Sequence, residues 1–213
     1  MSRATSFAAT AGLLLALALG GCQKTGPTPV TADDMSMGDP KAKVEIVEYA
    51  SVACPHCARF NNDVFPAFKA KYVDTGKVHY VAREFLVGGA DEVSLAVAGF
   101  LTARCAGRDK YFLVTDAIYH AQAEINRTGQ PHEILLNIAR SVGLTDAKFE
   151  ACIKDEKAIA DLQKRVEGYA KNDKINSTPT FIVNGKRFEA GEMTLAQMDA
   201  AVAEAAAHGK PAT

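Results

Sequence analysis

The sequence predicts an α/β fold, in which a mixed sheet is built from two parts of the chain separated by a block of helices. An apolar strand pattern at 44–49 is followed by helical spacing and by a second strand pattern at 78–85, the order of a βαβ unit. From about 88 to 172 the apolar residues recur with the 3.6-residue period of helices. Two short strands and a helix close the chain, so the predicted order is βαβ, helices, ββα.

Composition and charge limit the class of protein. The 213 residues suffice for one domain with an insertion, and 48% of them are hydrophobic and 23% charged, as in soluble globular proteins. The 24 basic and 25 acidic side chains give a formal charge of -1. Because this balance provides no basic surface, we expect no nucleic-acid partner.

The N-terminus has the features of an export signal. Arg3 precedes an apolar run at 7–19 that is too short to span a bilayer. The run ends in the letters LGGC, which resemble the lipobox of bacterial lipoproteins, where the cysteine is lipidated. We therefore expect residues 1–21 to be a signal peptide and Cys22 to be a lipid anchor. The alternative is an ordinary secretory signal that leaves Cys22 as a spare thiol.

The first half of the predicted core follows a tether. Residues 22–40 contain prolines and aspartates without apolar periodicity, the composition of a tether. Residues 41–87 then carry the two strand patterns and the helix between them. The apolar stripe of that helix falls on every fourth residue, namely Phe60, Val64, Phe68 and Tyr72.

The remaining chain divides into a helical insertion and the second half of the core. Residues 88–173 are expected to form an inserted all-helical domain, and residues 174–209 to return to the sheet. There the apolar run at 180–183 meets Asn184-Gly185, a pair that favours a tight hairpin with a return strand at 187–189. Thr194 followed three residues later by glutamine fits a capping box, which predicts the closing helix.

The strongest local signal is Cys54-Pro55-His56-Cys57, placed where the first strand gives way to a helix. Two intervening residues in a first helical turn bring both sulfurs close enough to bond reversibly. Free backbone N–H groups at the start of a helix stabilise a thiolate at Cys54, and Pro55 suits the first helical position. His56 adds a donor or a positive charge, and Cys57, further inside, is expected to be the resolving thiol.

Two metal-binding alternatives compete with the redox interpretation. A zinc site needs a second close pair of ligands, and the other cysteines, Cys105 and Cys152, stand alone. A copper-binding lipoprotein module is the alternative from a different class, because thiolates and an imidazole suit Cu(I). We expect neither a metal nor another cofactor, and copper stoichiometry on the reduced protein tests the second alternative.

Glu48 is a candidate proton carrier for Cys57. It lies six residues before Cys54 and alternates onto the strand face of Val44 and Ile46, which would place a carboxylate in apolar surroundings. The pattern alone equally allows a solvated carboxylate, since Glu45 shares the opposite face with apolar residues.

These residues resemble the thioredoxin superfamily and, within it, the DsbA group of bacterial periplasmic oxidases, which carry the same Cys-Pro-His-Cys and an inserted helical domain. The resemblance runs from about residue 41 to the C-terminal helix. It implies a thioredoxin-like fold and a buried acid at Glu48. It also implies that Thr178-Pro179 is a cis-proline loop facing Cys54, whose backbone pairs with substrate.

The resemblance implies two further features. Cys105 and Cys152, 47 positions apart, would form a structural disulfide within the helical domain, as in some relatives, worth about 2–4 kcal/mol. Arg83, in the second strand, lies roughly where family members carry a basic partner for the buried acid.

The function expected from this resemblance is donation of the Cys54-Cys57 disulfide to reduced or unfolded exported proteins. We expect a monomer in the periplasm, held at a membrane by its lipid anchor and reoxidised by a DsbB-like quinone reductase. An anchored isomerase or reductase is the alternative within the fold, because Thr178 stands where DsbA proteins commonly carry valine. Isomerases, however, use a separate N-terminal dimerisation domain, and only about eighteen residues separate Cys22 from the start of the predicted core at residue 41.

Overall fold

The computed structural model describes residues 27–188 and 191–209 and shows a five-stranded mixed sheet. Its strands lie in the order β1-β3-β2-β4-β5. The pair β2 and β3 is parallel, whereas β1 pairs with β3, β4 with β2 and β5 with β4 in antiparallel fashion. The strands are β1 (Met35–Gly38), β2 (Val44–Ala50), β3 (Val78–Glu84), β4 (Thr180–Val183) and β5 (Lys186–Phe188).

Helices connect and cover this sheet. Within the described residues they are α1 (Pro55–Arg59), α2 (Phe65–Phe68), α3 (Ala90–Cys105), α4 (Tyr111–Thr128), α5 (Pro131–Ser141), α6 (Asp146–Ile153), α7 (Glu156–Asn172) and α8 (Leu195–His208). Wider π-helical turns, Phe60–Val64 and Lys69–Val73, join and extend α1 and α2. None of the helices in the described part of the chain is long and apolar enough to cross a membrane.

The parallel pairing of β2 with β3 requires the crossover that α1 and α2 provide, because parallel strands cannot be joined by a hairpin. Pro66 lies at the start of α2, where its missing N–H costs little, and the π-helical turn precedes it. The predicted stripe packs onto the sheet, with Phe60 and Phe68 fully buried beside Phe181 of β4 and Met198 of α8. The predicted βαβ unit is therefore confirmed.

The hairpin and the last helix form as predicted. Asn184 and Gly185 have φ values of 45° and 84°, the positive pair that a tight two-residue hairpin turn needs. The side-chain oxygen of Asn184 also accepts the backbone N–H of Glu45 at 2.8 Å, which ties the turn to β2. The return strand begins at Lys186, and residue 189 of the predicted strand lies outside the described residues. Thr194 and Gln197 form the capping box of α8.

The helical block consists of α3 to α7, and its apolar residues pack together with the chain around Cys54. Ile118, Leu135 and Phe149 belong to the same buried cluster as Val52 and Cys57. A disulfide joins Cys105, at the end of α3, to Cys152 in α6, with the two Cα atoms 6.2 Å apart. That residues 88–173 behave as a separate domain, and that the bridge is structural, stay predictions.

The prediction of a tether through residue 40 is wrong. Residues 35–38 form the edge strand β1, and the backbone N–H of Thr28 donates to Asp173 at 2.6 Å. Sequence reasoning missed β1 because the alternation of Met35-Ser36-Met37-Gly38 is too short to distinguish a strand from a loop. Pairing with β3 defines the strand. The fold therefore includes the chain from Thr28 onward, whereas Cys22 and the predicted signal peptide lie outside the described residues.

A buried ionic network holds this N-terminal segment on the sheet. The guanidinium of Arg83, 1% exposed, donates to both oxygens of Asp34 at 3.0 and 3.2 Å and to Asp173 at 3.4 Å. It also donates to the hydroxyl of Tyr49 at 2.7 Å, and that hydroxyl donates to Asp173 at 2.7 Å. Because Asp34 and Asp173 are themselves buried, Arg83 compensates two carboxylates that water cannot solvate.

We expect Arg83→Leu to lower the free energy of unfolding by about 3–5 kcal/mol, since it leaves two buried carboxylates without their cation. Urea denaturation of the reduced and oxidised proteins measures this. Arg140→Ala is the control, because Arg140 pairs with Asp146 at the surface, where such a pair contributes at most about 1 kcal/mol. Equal losses in both variants would contradict the role assigned to the network.

Candidate redox site

The two cysteines of the predicted motif lie where β2 meets the first helix. Cys54 is the N-cap of α1, with extended backbone, and its carbonyl accepts the N–H of Ala58 at 3.1 Å. Pro55 occupies the first helical turn, as predicted. Cys54 is 7% exposed and Cys57 is 1% exposed, so the first sulfur is the more accessible of the two.

The Cys54 thiol is stabilised as a thiolate. Its pKa is lowered to about 5, chiefly by a hydrogen bond from the Cys57 thiol, against the opposing effect of burial. The backbone N–H groups of Cys57 and His56, which point out of the start of α1, lower the pKa further. The site therefore holds a charged sulfur at neutral pH.

Cys57 has the opposite character. Burial raises its pKa well above the ordinary value of a thiol, and the neighbouring Cys54 and the charge of Glu48 raise it further. The two sulfurs thus divide into a thiolate at Cys54 and a protonated thiol at Cys57, the unequal roles that the motif predicted.

Glu48 is buried, which decides between the two interpretations that the sequence left open. It is 8% exposed, and burial raises the pKa of its carboxyl group to about 7. The charge of Cys54 adds to the increase, and a hydrogen bond from the Tyr80 hydroxyl opposes it. Glu48 can therefore gain or lose a proton near neutral pH beside Cys57.

Arg83 is not the partner of Glu48, so that expectation is wrong. In the parallel register Glu48 stands opposite Ala82, and Arg83 stands opposite Tyr49. Neighbouring residues of a strand point to opposite faces of a sheet, so Arg83 projects away from Glu48. The position that reaches Glu48 is Tyr80, two residues from Ala82 on the same face. Counting the alternation of β3 from Ala82 would have identified it once the register was known.

Thr178 and Pro179 lie beside the redox pair, as the resemblance implies. Their peptide bond is cis, and the Cys54 thiol is 3.5 Å from the carbonyl oxygen of Thr178. The loop precedes β4, whose antiparallel pairing with β2 brings it to the end of the sheet where Cys54 lies.

A surface cluster that the sequence did not reveal surrounds His56. The Nδ1 atom of His56 lies 2.6 Å from Oε1 of Glu192 and 2.6 Å from the guanidinium of Arg59. Arg59 also donates its Nε to Glu192 at 2.7 Å. Since Glu192 comes from the segment before α8, no local pattern connects it to the motif. It restrains the imidazole and pairs with the guanidinium of Arg59, whose charge interacts with that of Cys54.

A second missed contact comes from the helical block. The amide nitrogen of Gln122, in α4, donates to the carbonyl oxygens of Val52 at 2.7 Å and Cys54 at 3.2 Å. Gln122 is buried, so these two bonds fix residues 52–54, the redox loop that presents Cys54, against α4. A glutamine in the middle of an amphipathic helix gives no sequence signal of such a contact.

The arrangement supports reversible exchange between the Cys54 and Cys57 sulfurs and other thiols. It provides a stabilised thiolate at Cys54, a protonated thiol at Cys57 and a buried carboxyl group at Glu48 whose pKa is near 7. Across 27–188 and 191–209 there is no group of three or more His, Cys, Asp or Glu side chains placed to hold a metal ion.

Comparison with known sequences gives consistent matches. The sequence model of the family described as Thioredoxin matches residues 30–204. A Rickettsia bellii protein named for protein-disulfide oxidoreductase activity is 33% identical over 161 residues, which are 75% of this chain and 60% of that protein. The "Probable disulfide bond formation protein D" of Bacillus anthracis is 30% identical over 152 residues, 70% of this chain and 69% of that protein. The chain thus spans 60% of the length of the first of these relatives.

Solved structures share the fold. The crystal structure of α-DsbA1 from Wolbachia pipientis is 25% identical and superposes with a TM-score of 0.75, covering 84% of this chain and 94% of that one. BdbD from Bacillus subtilis is 19% identical, with a TM-score of 0.70 over 86% of this chain and 98% of its own. These likenesses confirm the predicted α/β fold with its helical insertion.

We expect the thiolate absorbance of the reduced protein, measured against the oxidised protein, to titrate with a midpoint near pH 5, because the pKa of Cys54 is lowered to about 5. Alkylation by iodoacetamide should fall with the same midpoint as the pH is lowered. Cys54→Ser should remove the transition, since the remaining Cys57 thiol has a raised pKa. A midpoint near that of a free thiol, about 8.5, would contradict the assignment.

We expect Glu192→Gln to lower the pKa of Cys54 by about a few tenths of a pH unit. The charge of Arg59 then acts on the thiolate without the opposing carboxylate of Glu192. The effect is small, because the side chains of His56 and Arg59 are 59% and 50% exposed, respectively, and salt screens charges at such positions. The same absorbance titration measures it, with Glu204→Gln, which removes only a surface pair to Lys186, as the control. A rise in the pKa of Cys54 would show that Glu192 acts differently.

Proposed function

We propose that this chain, which belongs to the thioredoxin-like, DsbA-type disulfide oxidoreductases, donates the Cys54-Cys57 disulfide to exported proteins during oxidative folding. The observation that carries the proposal is the lowered pKa of Cys54, to about 5. A stabilised thiolate favours the reduced form of the pair, and a pair that favours its reduced form gives its disulfide away readily.

The geometry supports a two-step exchange. A substrate thiolate attacks the Cys54 sulfur of the oxidised pair, Cys57 leaves, and a mixed disulfide forms at Cys54. The departing Cys57 sulfur takes a proton, which the neutral carboxyl group of Glu48 can supply because its pKa is near 7. A second substrate thiolate then attacks the substrate sulfur, and Cys54 leaves as the thiolate that α1 stabilises.

The tendency to donate the disulfide depends on pH in a direction that follows from the lowered pKa of Cys54. Because the pKa in the folded reduced protein is lowered, the extra stability of the reduced form is complete above the pKa of an unfolded thiol, about 8.5. It decreases as the pH falls and is lost once the pH passes below about 5. The protein is therefore a stronger donor near neutral pH than in acid.

We further propose that the loop at Thr178-Pro179 binds the incoming chain. A backbone carbonyl beside Cys54 can accept a hydrogen bond from an extended substrate without reading its side chains. Reduced or unfolded exported proteins of many sequences are then suitable substrates.

The cellular setting completes the proposal. The LGGC sequence supports lipidation of Cys22, which places the protein at a bacterial membrane and its redox site in the periplasm. There, reoxidation falls to a membrane quinone reductase of the DsbB kind, and we propose that the protein acts as a monomer. An isomerase or reductase of the same fold is the second candidate, because Thr178 precedes the cis-proline.

The redox potential distinguishes these functions. Equilibration of the Cys54/Cys57 pair with glutathione should give a value near or above about -180 mV, in the range of protein disulfide isomerase and DsbA. The control is a variant with both Cys105→Ser and Cys152→Ser, which lacks the other disulfide. If this variant and the unmodified protein give the same titration curve, the measured potential belongs to Cys54 and Cys57. A value near about -270 mV, as in thioredoxin, would reject the oxidase and identify a reductase.

A further inference from the structure

We propose that Tyr80 is a positioning residue for the exchange reaction: its hydroxyl group holds the Glu48 carboxylate in place and favours its charged form, so that Glu48 can accept the proton of Cys57. The inference rests on the proposed thiol exchange at Cys54 and Cys57. It is independent of whether the pair works as an oxidase, an isomerase or a reductase.

The hydrogen bond between Tyr80 and Glu48 joins side chains of two neighbouring strands on one face of the sheet. Glu48 lies on β2 opposite Ala82, and Tyr80 lies two residues earlier on the parallel strand β3, so both side chains project from one face. The Tyr80 hydroxyl donates to Oε2 of Glu48. Tyr80 is 2% and Glu48 8% exposed, which leaves little access for water to compete for this bond.

The Tyr80 hydroxyl can only act as a neutral donor. Burial and the charge of Glu48 raise the pKa of Tyr80 well above its ordinary value, so the phenol keeps its proton wherever the enzyme works. Its ring is fixed by Phe65 and Phe68, with centroids 4.7 and 6.3 Å away. The hydroxyl is therefore held at one place, and Tyr80→Phe would remove it without changing the ring that packs there.

Several titratable groups surround Glu48, and they act in different directions. Cys54 from the redox loop adds a negative charge that disfavours the carboxylate, and Cys57 from α1 lies close enough to respond to the charge of Glu48. Tyr119 from α4 is buried beside them and stays neutral, with a raised pKa. A small cavity of about 30 Å³ beside Glu48 and Tyr80 also borders Arg83, but the guanidinium of Arg83 lies on the other face of the sheet, bound to Asp34 and Asp173. The donor that favours the charged form of Glu48 is Tyr80.

The step that depends on this bond is the attack of Cys57 on a mixed disulfide at Cys54. The Cys57 thiol transfers its proton to the Glu48 carboxylate, and the resulting thiolate attacks the Cys54 sulfur. The Cys54–Cys57 bond forms, the bond to the external sulfur breaks, and the external group leaves as a thiolate. Cys54 and Cys57 are oxidised, and the external sulfur is reduced. Because the carboxylate is needed, the rate rises with pH through the pKa of Glu48.

The experiment follows this one step in the full chain carrying Cys22→Ser. Reaction of the reduced protein with Ellman's reagent first places thionitrobenzoate on Cys54, and attack by Cys57 then releases a coloured thiolate. Stopped-flow absorbance gives the release rate across the pH range. In the parent protein the rate should rise with a midpoint at or slightly below pH 7, because the pKa of Glu48 is about 7 beside the charged Cys54 sulfur and that charge is absent from the mixed disulfide.

Tyr80→Phe should move this midpoint upward by about one pH unit, since a carboxylate that loses a hydrogen bond from a buried donor is harder to form. The release rate at pH 6 should then fall about tenfold, while the rate at the alkaline plateau stays the same. A general loss of stability would lower the rate at every pH instead.

Two variants test whether the effect passes through Glu48. In a Glu48→Gln background, the additional Tyr80→Phe change should leave the profile unaltered, because no carboxylate remains to respond. Tyr72→Phe is the matched control: Tyr72 packs against Phe68 in the same aromatic cluster, and its hydroxyl influences Asp199, a carboxylate away from the redox site. It should leave the midpoint in place.

The outcomes separate this inference from the proposed function. The role of Tyr80 would be overturned, and thiol exchange left intact, by either of two results. In one, Tyr80→Phe releases thionitrobenzoate with an unchanged pH midpoint; in the other, Tyr80→Phe shifts the midpoint equally in the Glu48→Gln background. No release in the parent protein would reject exchange at Cys54 and Cys57 itself. If Tyr80→Phe folds poorly, the infrared band of the Glu48 carboxyl group gives its midpoint directly in whatever fraction stays folded, and an unchanged midpoint there overturns the proposal.

Discussion

The antiparallel pairing of β2 with β4 is the contact on which the site depends. It joins parts of the chain that are more than a hundred residues apart, with Tyr49 opposite Thr180 at one end and Ile46 opposite Val183 at the other. This register places the Thr178 carbonyl beside the sulfur that follows β2, at the start of α1. Everything between the two strands, including the whole helical block, is accommodated without disturbing that pairing.

The sheet separates two buried charge systems that perform different tasks. On one face, Glu48 has a neutral donor in Tyr80 and a proton-bearing neighbour in Cys57, and its carboxyl group gains or loses a proton near neutral pH. On the other face, Arg83 compensates Asp34 and Asp173 and remains charged at all relevant pH values. Alternation along β2 and β3 keeps them apart, since adjacent residues of a strand cannot share a face. A cation on the Glu48 side would hold that carboxylate permanently ionised.

The helical block contributes to the site through the backbone of the redox loop. Gln122 binds the carbonyl groups on either side of Ala53, and the apolar residues around Ile118 share one cluster with Cys57. The loop that presents Cys54 is therefore held by helices as well as by the strand it leaves. The surface cluster of His56, Arg59 and Glu192 adds a charged rim at the exposed side. Rigid support for the deeply buried Cys57 and a polar rim beside the more accessible Cys54 fit a site that exchanges partners.

The sequence by itself determined the order of strands and helices from residue 44 onward, the position of Cys54 at a helix start, the hairpin at Asn184-Gly185 and the capping box of α8. Each of these depends on neighbours in the chain. Only the tertiary structure decided which face each side chain occupies relative to another strand. That register assigned Tyr80 rather than Arg83 to Glu48, made β1 out of a supposed tether, and brought Glu192 to His56. The physical reason is that strand pairing and burial are set by distant residues, and local periodicity carries no information about them.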